Sequence, residues 1–399
     1  MQTIHPEAVG LSPERLGRIH TAMQRYIDQG KFAGILSLVV RRGKIAHCET
    51  FGFMNIKARK PMSPDAIFRI YSMTKPITSA AALMLLEEGF YRLVDPVSAY
   101  IPELKGLKVM AHPNGPVSDV VEAKREIMIR DLFTHSAGFS YGFDENDPLD
   151  KLYSKKVWPK IDNDDADLQT LIDTLAAMPL AFHPGTNYRY SLSIDVLGRL
   201  VEVISGKPFD EFLRQRIFEP LGMVDTSFWV PPEKVERFAL NYGPDEKHPG
   251  KLKDIDPLKK SGYLRPGKFF SGGGGLVSTA SDYVRFCQML LNGGELEGER
   301  VLGRKTVELM RENHLPEGVY EDEHQAYGFG LGGNVLMHVN RAPVMGTKGA
   351  WGWGGAANTK FWIDWKEELI GLLMLQFMPS DQYPVGRDFQ NLVYQALID

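Results

Sequence analysis

Apolar residues recur along this chain in two periods. Ile77, Ala80, Ala81, Met84 and Leu85 follow the i, i+3, i+4, i+7, i+8 spacing of one buried helical stripe, and Gly89 supplies a stop. Pro76 falls in the first turn, where the amide it lacks has no intrahelical partner, so the pattern predicts a helix that begins near Ser72. Ser12-Pro13-Glu14 predicts another helix start, with Leu16, Ile19, Met23 and Ile27 as its buried stripe. Two further helices are expected, one through Ile194, Leu197, Val201 and Ile204 to Gly206, the other from near Ser281 through Val284, Cys287 and Leu291 to Gly293. Short apolar runs at 34–40 and 45–52 flank Arg41-Arg42-Gly43-Lys44, and runs at 359–364 and 369–376 flank Trp365-Lys366-Glu367-Glu368. Both read as hairpins, which places the two chain ends in one antiparallel sheet, covered by a terminal helix over 388–397.

Residues between these ends read as helical and loop-rich, and 231–268, with its many Pro, Gly, Asp and Lys residues, reads as a surface excursion. The expected organisation is an α/β lobe built from 1–80 and 265–399, a mainly helical insertion lobe over 81–264, and an active site in the cleft between them. A length of 399 residues suits two such lobes, and 43% hydrophobic, 24% charged and 11% aromatic residues are ordinary for a globular chain. The formal charge of -4, with signs intermingled, leaves no basic footprint for nucleic acid and no polybasic membrane segment. Cys48 and Cys287 match no metal spacing and no disulfide framework, and no metal or cofactor motif emerges. The first residues lack the regions of a secretory signal, and the longest apolar run, 369–378, is too short to cross a bilayer, so a cytoplasmic protein is expected. Its expected partner is a small molecule, met as a monomer or a homo-oligomer.

Ser72-Met73-Thr74-Lys75 changes the picture, because residues three apart on a helix are neighbours and Lys75 can reach the Ser72 hydroxyl. The helix start also places Ser72 at the positive end of the macrodipole, which suits a site where an oxyanion forms. A serine hydroxyl attacks only once a base takes its proton, and a lysine and a tyrosine can share that role. Roughly one Ser-x-x-Lys is expected by chance in a chain of this length, and alone the pattern also reads as a plain helix start with an exposed lysine. Two further elements stand beside it. Tyr190 lies in a turn just before a helix, and Trp351-Gly352-Trp353-Gly354-Gly355-Ala356 precedes the C-terminal hairpin, where glycines let a ligand approach the backbone closely.

These three elements, in this order, resemble the serine β-lactamase and penicillin-binding-protein superfamily, and most closely its family VIII carboxylesterases. Other segments extend the resemblance over nearly the whole chain: Leu132-Phe133-Thr134-His135-Ser136-Ala137-Gly138, Pro184-Gly185-Thr186, Glu219-Pro220-Leu221-Gly222-Met223 and Gly275-Leu276-Val277-Ser278-Thr279-Ala280. The resemblance implies an α/β fold of the α+β type, like that of β-lactamases and DD-peptidases, with an antiparallel sheet flanked by helices and a helical insertion lobe. It implies Ser72 as nucleophile, Lys75 and Tyr190 (rather than Tyr188) as the proton-transfer pair, and the backbone amides of Ser72 and Ala356 as the oxyanion hole. Trp353, Gly354, Gly355 and Leu192 would then touch substrate. Trp353 stands where β-lactamases carry Lys, and Leu192 where they carry Asn, so the pocket is expected to be apolar and to take short-chain acyl esters.

The resulting expectation is a carboxylesterase that works through acyl-Ser72, with weak β-lactam turnover left open. The alternatives are a β-lactamase or D-amino-acid peptidase, an acyltransferase, and a non-catalytic scaffold of the same fold. Other features point elsewhere. His135 reads as structural, the acidic run 162–167 lacks the glycine and terminal glutamate of a calcium loop, and Ser271-Gly272-Gly273-Gly274-Gly275 reads as a tight turn near the cleft rather than a phosphate loop. No Gly-x-Ser-x-Gly elbow occurs.

Overall fold

The computed structural model describes residues 2–399. Strands β1 (Gly34–Arg41) and β2 (Lys44–Asn55) form the predicted N-terminal hairpin. Its turn is tighter than the four residues expected. Arg42 and Gly43 alone make it, with φ of 52° and 69°, the positive-φ pair whose twist matches that of the flanking strands. The short β3 (Lys60–Pro61) pairs with β2 at one edge. The C-terminal part of the chain supplies β4 (Tyr327–Phe329), β5 (Asn334–Leu336), β6 (Trp351–Gly354), β7 (Lys360–Asp364) and β8 (Leu369–Leu375). All eight strands form one antiparallel sheet in the order β4-β5-β6-β7-β8-β1-β2-β3. The pairing of Ile35 with Leu375 and of Leu38 with Leu372 joins the two hairpins, as the apolar runs predict. Every residue of β1 is buried, because both faces of the sheet are covered and an alternating pattern has nothing to serve.

One face carries α1 (Arg18–Asp28) and the C-terminal helix Val385–Tyr394, whose Ile19, Met23, Phe389 and Val393 meet Ile35, Val39 and Leu373. Ser12 caps the predicted first helix through the Arg15 amide, but that helix ends at Leu16, and Gly17 separates it from α1. Tyr26, outside the predicted stripe, is buried and donates to Asp388 at 2.7 Å, which ties the two helices together. The C-terminal helix starts three residues before the predicted 388.

The opposite face leads to α2 (Thr74–Glu87), the helix that follows Ser72. Its environment differs from the expected single stripe, since every residue from Thr74 to Leu85 is buried. A helix enclosed on all sides is apolar all round, and its polar groups need partners of their own. Thr78 accordingly donates to the Gly272 carbonyl at 2.7 Å. Helices α3 (Ser193–Ser205), which ends at left-handed Gly206, and α4 (Ala280–Leu291), capped by Thr279 and starting one residue before Ser281, follow the predicted stripes.

The segment 231–268 is less of an excursion than its composition suggests. Phe238, Ala239, Leu240 and Tyr242 are buried, and the Leu240 and Tyr242 amides donate to Met54 and Gln376 of the sheet lobe. Asp256 pairs with the fully buried Arg69 guanidinium at 2.5 Å, which lies 3.9 Å over the Phe238 ring. Among the described residues, no helix is long and apolar enough to cross a membrane and no cluster of metal-ligating side chains occurs.

Candidate active site

Ser72 lies in a single 3₁₀ turn, Tyr71–Met73, directly before α2 rather than inside the helix. Tyr71 has φ of 43°, a left-handed conformation that a bulky side chain adopts only when its surroundings hold it there. One turn on, Lys75 is fully buried and its Nζ donates to Ser72 Oγ at 3.1 Å, as the spacing requires. Its other contacts run to Tyr141 Oη at 3.0 Å and to the Gly273 carbonyl at 2.6 Å, so the buried nitrogen is held by three oxygens. Tyr190, from the loop before α3, donates to Ser72 Oγ at 2.6 Å, and Lys75 Nζ lies 4.5 Å from the centre of its ring. Residues 72, 75 and 190 thus meet at one hydroxyl.

Three participants in this arrangement lie outside the expected catalytic residues. Tyr141 is buried, and its phenol is pushed well above the usual range by that burial and by the charge of Asp195. Asp195, on α3, accepts from the Gly273 amide at 3.0 Å and from Ser271 Oγ at 2.6 Å. Its carboxyl is raised by burial, an effect partly offset by Lys75. The third is Gly273, in the glycine turn of 271–275, which offers its carbonyl to the lysine and has no room for a side chain, since one would collide with Asp195 and Tyr141. The four-glycine run was the only sequence signal for this group.

His135 is also buried here, with φ of 54°. Its Nδ1 accepts from the Ser191 amide at 3.2 Å, and its ring lies 4.8 Å from that of Tyr190. Burial and the Lys75 charge hold the imidazole well below its ordinary range, so it is neutral and acts as a support for the Tyr190 loop.

A cavity of about 590 Å³ opens over Ser72 and is lined by Tyr190, Trp353, Gly354, Gly355 and Ala356. The Ser72 and Ala356 amides donate to no acceptor among the described residues. Strand β6 brings Ala356 to the serine because Gly355 lies directly on the carbonyl of Ile70, two residues before Ser72. An alanine at 355 would strike both Ile70 O and Thr359 Oγ1. Gly355→Ala is expected to separate β6 from the serine turn and to lower turnover at Ser72 about 100-fold or more, as misplacements on the order of 1 Å do, with far-ultraviolet circular dichroism unchanged.

Trp353 forms an apolar wall, its ring 5.5 Å from Tyr190 and 5.1 Å from Phe329. Leu192 is not beside it. That side chain is 2% exposed and belongs to the core, because the chain has already turned inward to begin α3, so the expected contact of Leu192 with substrate is not present. Nor is the cavity uniformly apolar. Glu321 and Lys360 also line it; burial raises the Glu321 carboxyl to about 7 and lowers the Lys360 ammonium to about 8.

The chain is similar to several known proteins along almost its whole length. An uncharacterized protein of Mycobacterium tuberculosis is 35% identical over 378 residues, 90% of this chain and 89% of that protein. Esterase EstB of Burkholderia gladioli is 29% identical over 388 residues, covering 94% of this chain and 93% of EstB. Among solved structures, EstCE1, described as a hydrolase with promiscuous acyltransferase activity, superposes with a TM-score of 0.81 at 25% identity, over 96% of this chain and 99% of that one. The fold is that of β-lactamases and penicillin-binding proteins, with a mixed α/β architecture around an antiparallel sheet. A family model described as Beta-lactamase matches residues 19–395, and the chain belongs to the beta-lactamase family.

Proposed function

We propose that this protein is a serine carboxylesterase that hydrolyses short-chain acyl esters through an acyl-Ser72 intermediate. The observation that carries this reading is the convergence on Ser72 Oγ of Tyr190 Oη at 2.6 Å and Lys75 Nζ at 3.1 Å. In this reading the reacting pair carries one proton fewer than an ammonium and a phenol together. As Oγ bonds to the carbonyl carbon of the ester, the Ser72 proton passes to Tyr190 and Lys75, which then hold it. The carbonyl oxygen becomes an oxyanion held by the Ser72 and Ala356 amides, donors that gain most when charge develops. Collapse breaks the bond to the alkoxy oxygen, which leaves with the proton from the pair. Water then attacks the acyl-serine, gives a proton to the pair, and releases the acid as Ser72 regains its own.

The relatives agree with an ester as substrate, since one is an esterase and another a hydrolase with acyltransferase activity. Trp353 supports the same choice, because the resemblance places it where β-lactamases carry the lysine that meets an antibiotic carboxylate, although Lys360 lies elsewhere in the cavity wall. An alcohol that enters in place of water would accept the acyl group, so acyl transfer is a second outcome of the same intermediate. The test compares p-nitrophenyl butyrate, nitrocefin and a D-Ala-D-Ala peptide on one preparation, with and without added alcohol. The ester is expected to be hydrolysed at least about 100-fold faster, as kcat/KM, than either other substrate. Faster nitrocefin or peptide turnover would overturn the esterase reading.

A further inference from the structure

Four acids line the cavity over Ser72; Glu323 and Asp381 are exposed, Asp322 builds its own loop, and the more enclosed Glu321 is used by neither the fold nor the proposed chemistry. Glu321 lies in the loop before β4, held by its backbone amide, which donates to Tyr327 O at 2.9 Å. Its side chain has no cationic partner among the described residues, and its one hydrogen bond is a long one from Asn334 Nδ2 at 3.4 Å. The neighbouring acids differ. Asp322 Oδ1 accepts from the Ala326 and Tyr327 amides at 2.8 Å each and so builds the loop, while the Glu323 side chain is 88% exposed. A carboxyl taken partly out of water with so few partners is costly to keep ionised. Burial moves it to about 7, so both its forms are present near neutrality. The Tyr188 hydroxyl, buried without a partner, is close enough for the Glu321 charge to help raise its phenol well above the usual range.

The position of this group relative to the reaction follows from the rings between them. Tyr190 lies 5.5 Å from Trp353, Trp353 lies 5.1 Å from Phe329, and Phe329 lies 5.4 Å from Tyr188. Asn334 pairs across the sheet with Gly352, the residue before Trp353. The Glu321 end of the cavity is thus reached past Tyr190 and Trp353, away from the Ala356 amide. In the proposed mechanism the departing alkoxy oxygen takes its proton beside Tyr190, so the alcohol half of the ester is the half that runs toward Glu321. Strand β6 runs from Trp351 to Gly354, a length of about 10 Å between its pairing with Asn334's strand and the turn that carries Ala356, which leaves room for a chain of several atoms.

We propose that Glu321 and Asn334 form a polar subsite for the leaving alcohol, one that accepts a hydrogen bond from a hydroxyl or protonated amine several atoms from the scissile ester. The proposal rests on the esterase reading and names its preferred substrates as butyrate-like esters of diols or amino alcohols. The apolar wall would hold the connecting methylenes, and the carboxyl would select the terminal donor. A site built to hydrogen-bond a donor rejects the analogue that lacks it.

The test uses hexyl, 5-hydroxypentyl and 5-aminopentyl butyrate, with butyrate release followed for the wild type and for Glu321→Gln, Glu321→Leu and Asn334→Ala. In the wild type, kcat/KM for at least one donor-bearing ester should exceed that for the hexyl ester by about tenfold or more. Glu321→Gln should keep a preference for the hydroxyl and lose one for the amine, which separates the two sources of donor. Glu321→Leu should bring both ratios toward one, mainly through KM, and Asn334→Ala should lower them in part. Equal rates on all three esters in the wild type, or ratios unchanged by Glu321→Leu, would overturn this subsite while leaving the esterase reading in place. If the wild type hydrolyses none of the three, the esterase reading fails and the subsite fails with it.

Discussion

Ser72→Ala is expected to reduce hydrolysis of p-nitrophenyl butyrate roughly a million-fold, to the level set by binding alone. The Ser72 oxygen is the acceptor shared by Tyr190 at 2.6 Å and Lys75 at 3.1 Å, and no second hydroxyl occupies that point. Ser136, the serine of the 132–138 segment, bonds instead to Thr134 and Asp131, so it offers no substitute. The variant should fold, because Lys75 keeps its bonds to Tyr141 and the Gly273 carbonyl. The measurement pairs the rate with the thermal unfolding midpoint and with labelling by a fluorophosphonate. Activity within tenfold of wild type in a folded variant would reject acyl-Ser72 chemistry.

The second large effect is expected for Tyr190→Phe, a loss of about 100- to 10,000-fold in kcat, the range that proton transfer by one positioned group supplies. The substitution removes only the oxygen that reaches Ser72 and retains the ring against Trp353 and His135. Tyr141→Phe is its control. Tyr141 also bonds Lys75, but it makes no bond to Ser72, and its buried phenol is held well above the usual range, so it serves as a neutral partner that positions the lysine. That variant should lose less than Tyr190→Phe, and the two are compared by kcat against pH. A larger loss for Tyr141→Phe would transfer the proton-carrying role from residue 190 to residue 141.

The parts of this fold that are legible in the sequence are those governed by near neighbours in the chain. The hairpins over 34–55 and 360–375 follow from short apolar runs on either side of a polar turn, and α3 follows from one periodic stripe closed by a glycine. Ser72 and Lys75 belong to the same class, since a single turn of backbone brings positions three apart together. Tyr190 and Trp353 are legible only through the family resemblance, because nothing in their local spacing connects them to position 72.

Other features depend on what the folded chain places around a residue. The residues of α2 read as one stripe, yet the helix is enclosed on every side, and periodicity cannot report neighbours that approach from distant segments. Leu192 follows Tyr190 by two residues but turns into the core, because α3 begins at Ser193. Tyr141 and Gly273 reach Lys75 from 66 and 198 residues away, and Asp195 matters only through the glycine it holds. Glu321 is unremarkable in a run of three acids that all line the cavity until the loop engages Asp322 with its own amides and leaves the first acid enclosed with a single long hydrogen bond. Local sequence thus set the hairpins, the helix stops and the serine–lysine pair, since backbone geometry within a turn is short-ranged. The lysine's remaining partners, the loss of Leu192 to the core and the charge in the cavity wall were set by long-range packing, because desolvation and hydrogen-bond competition act between segments that meet only once the chain has folded.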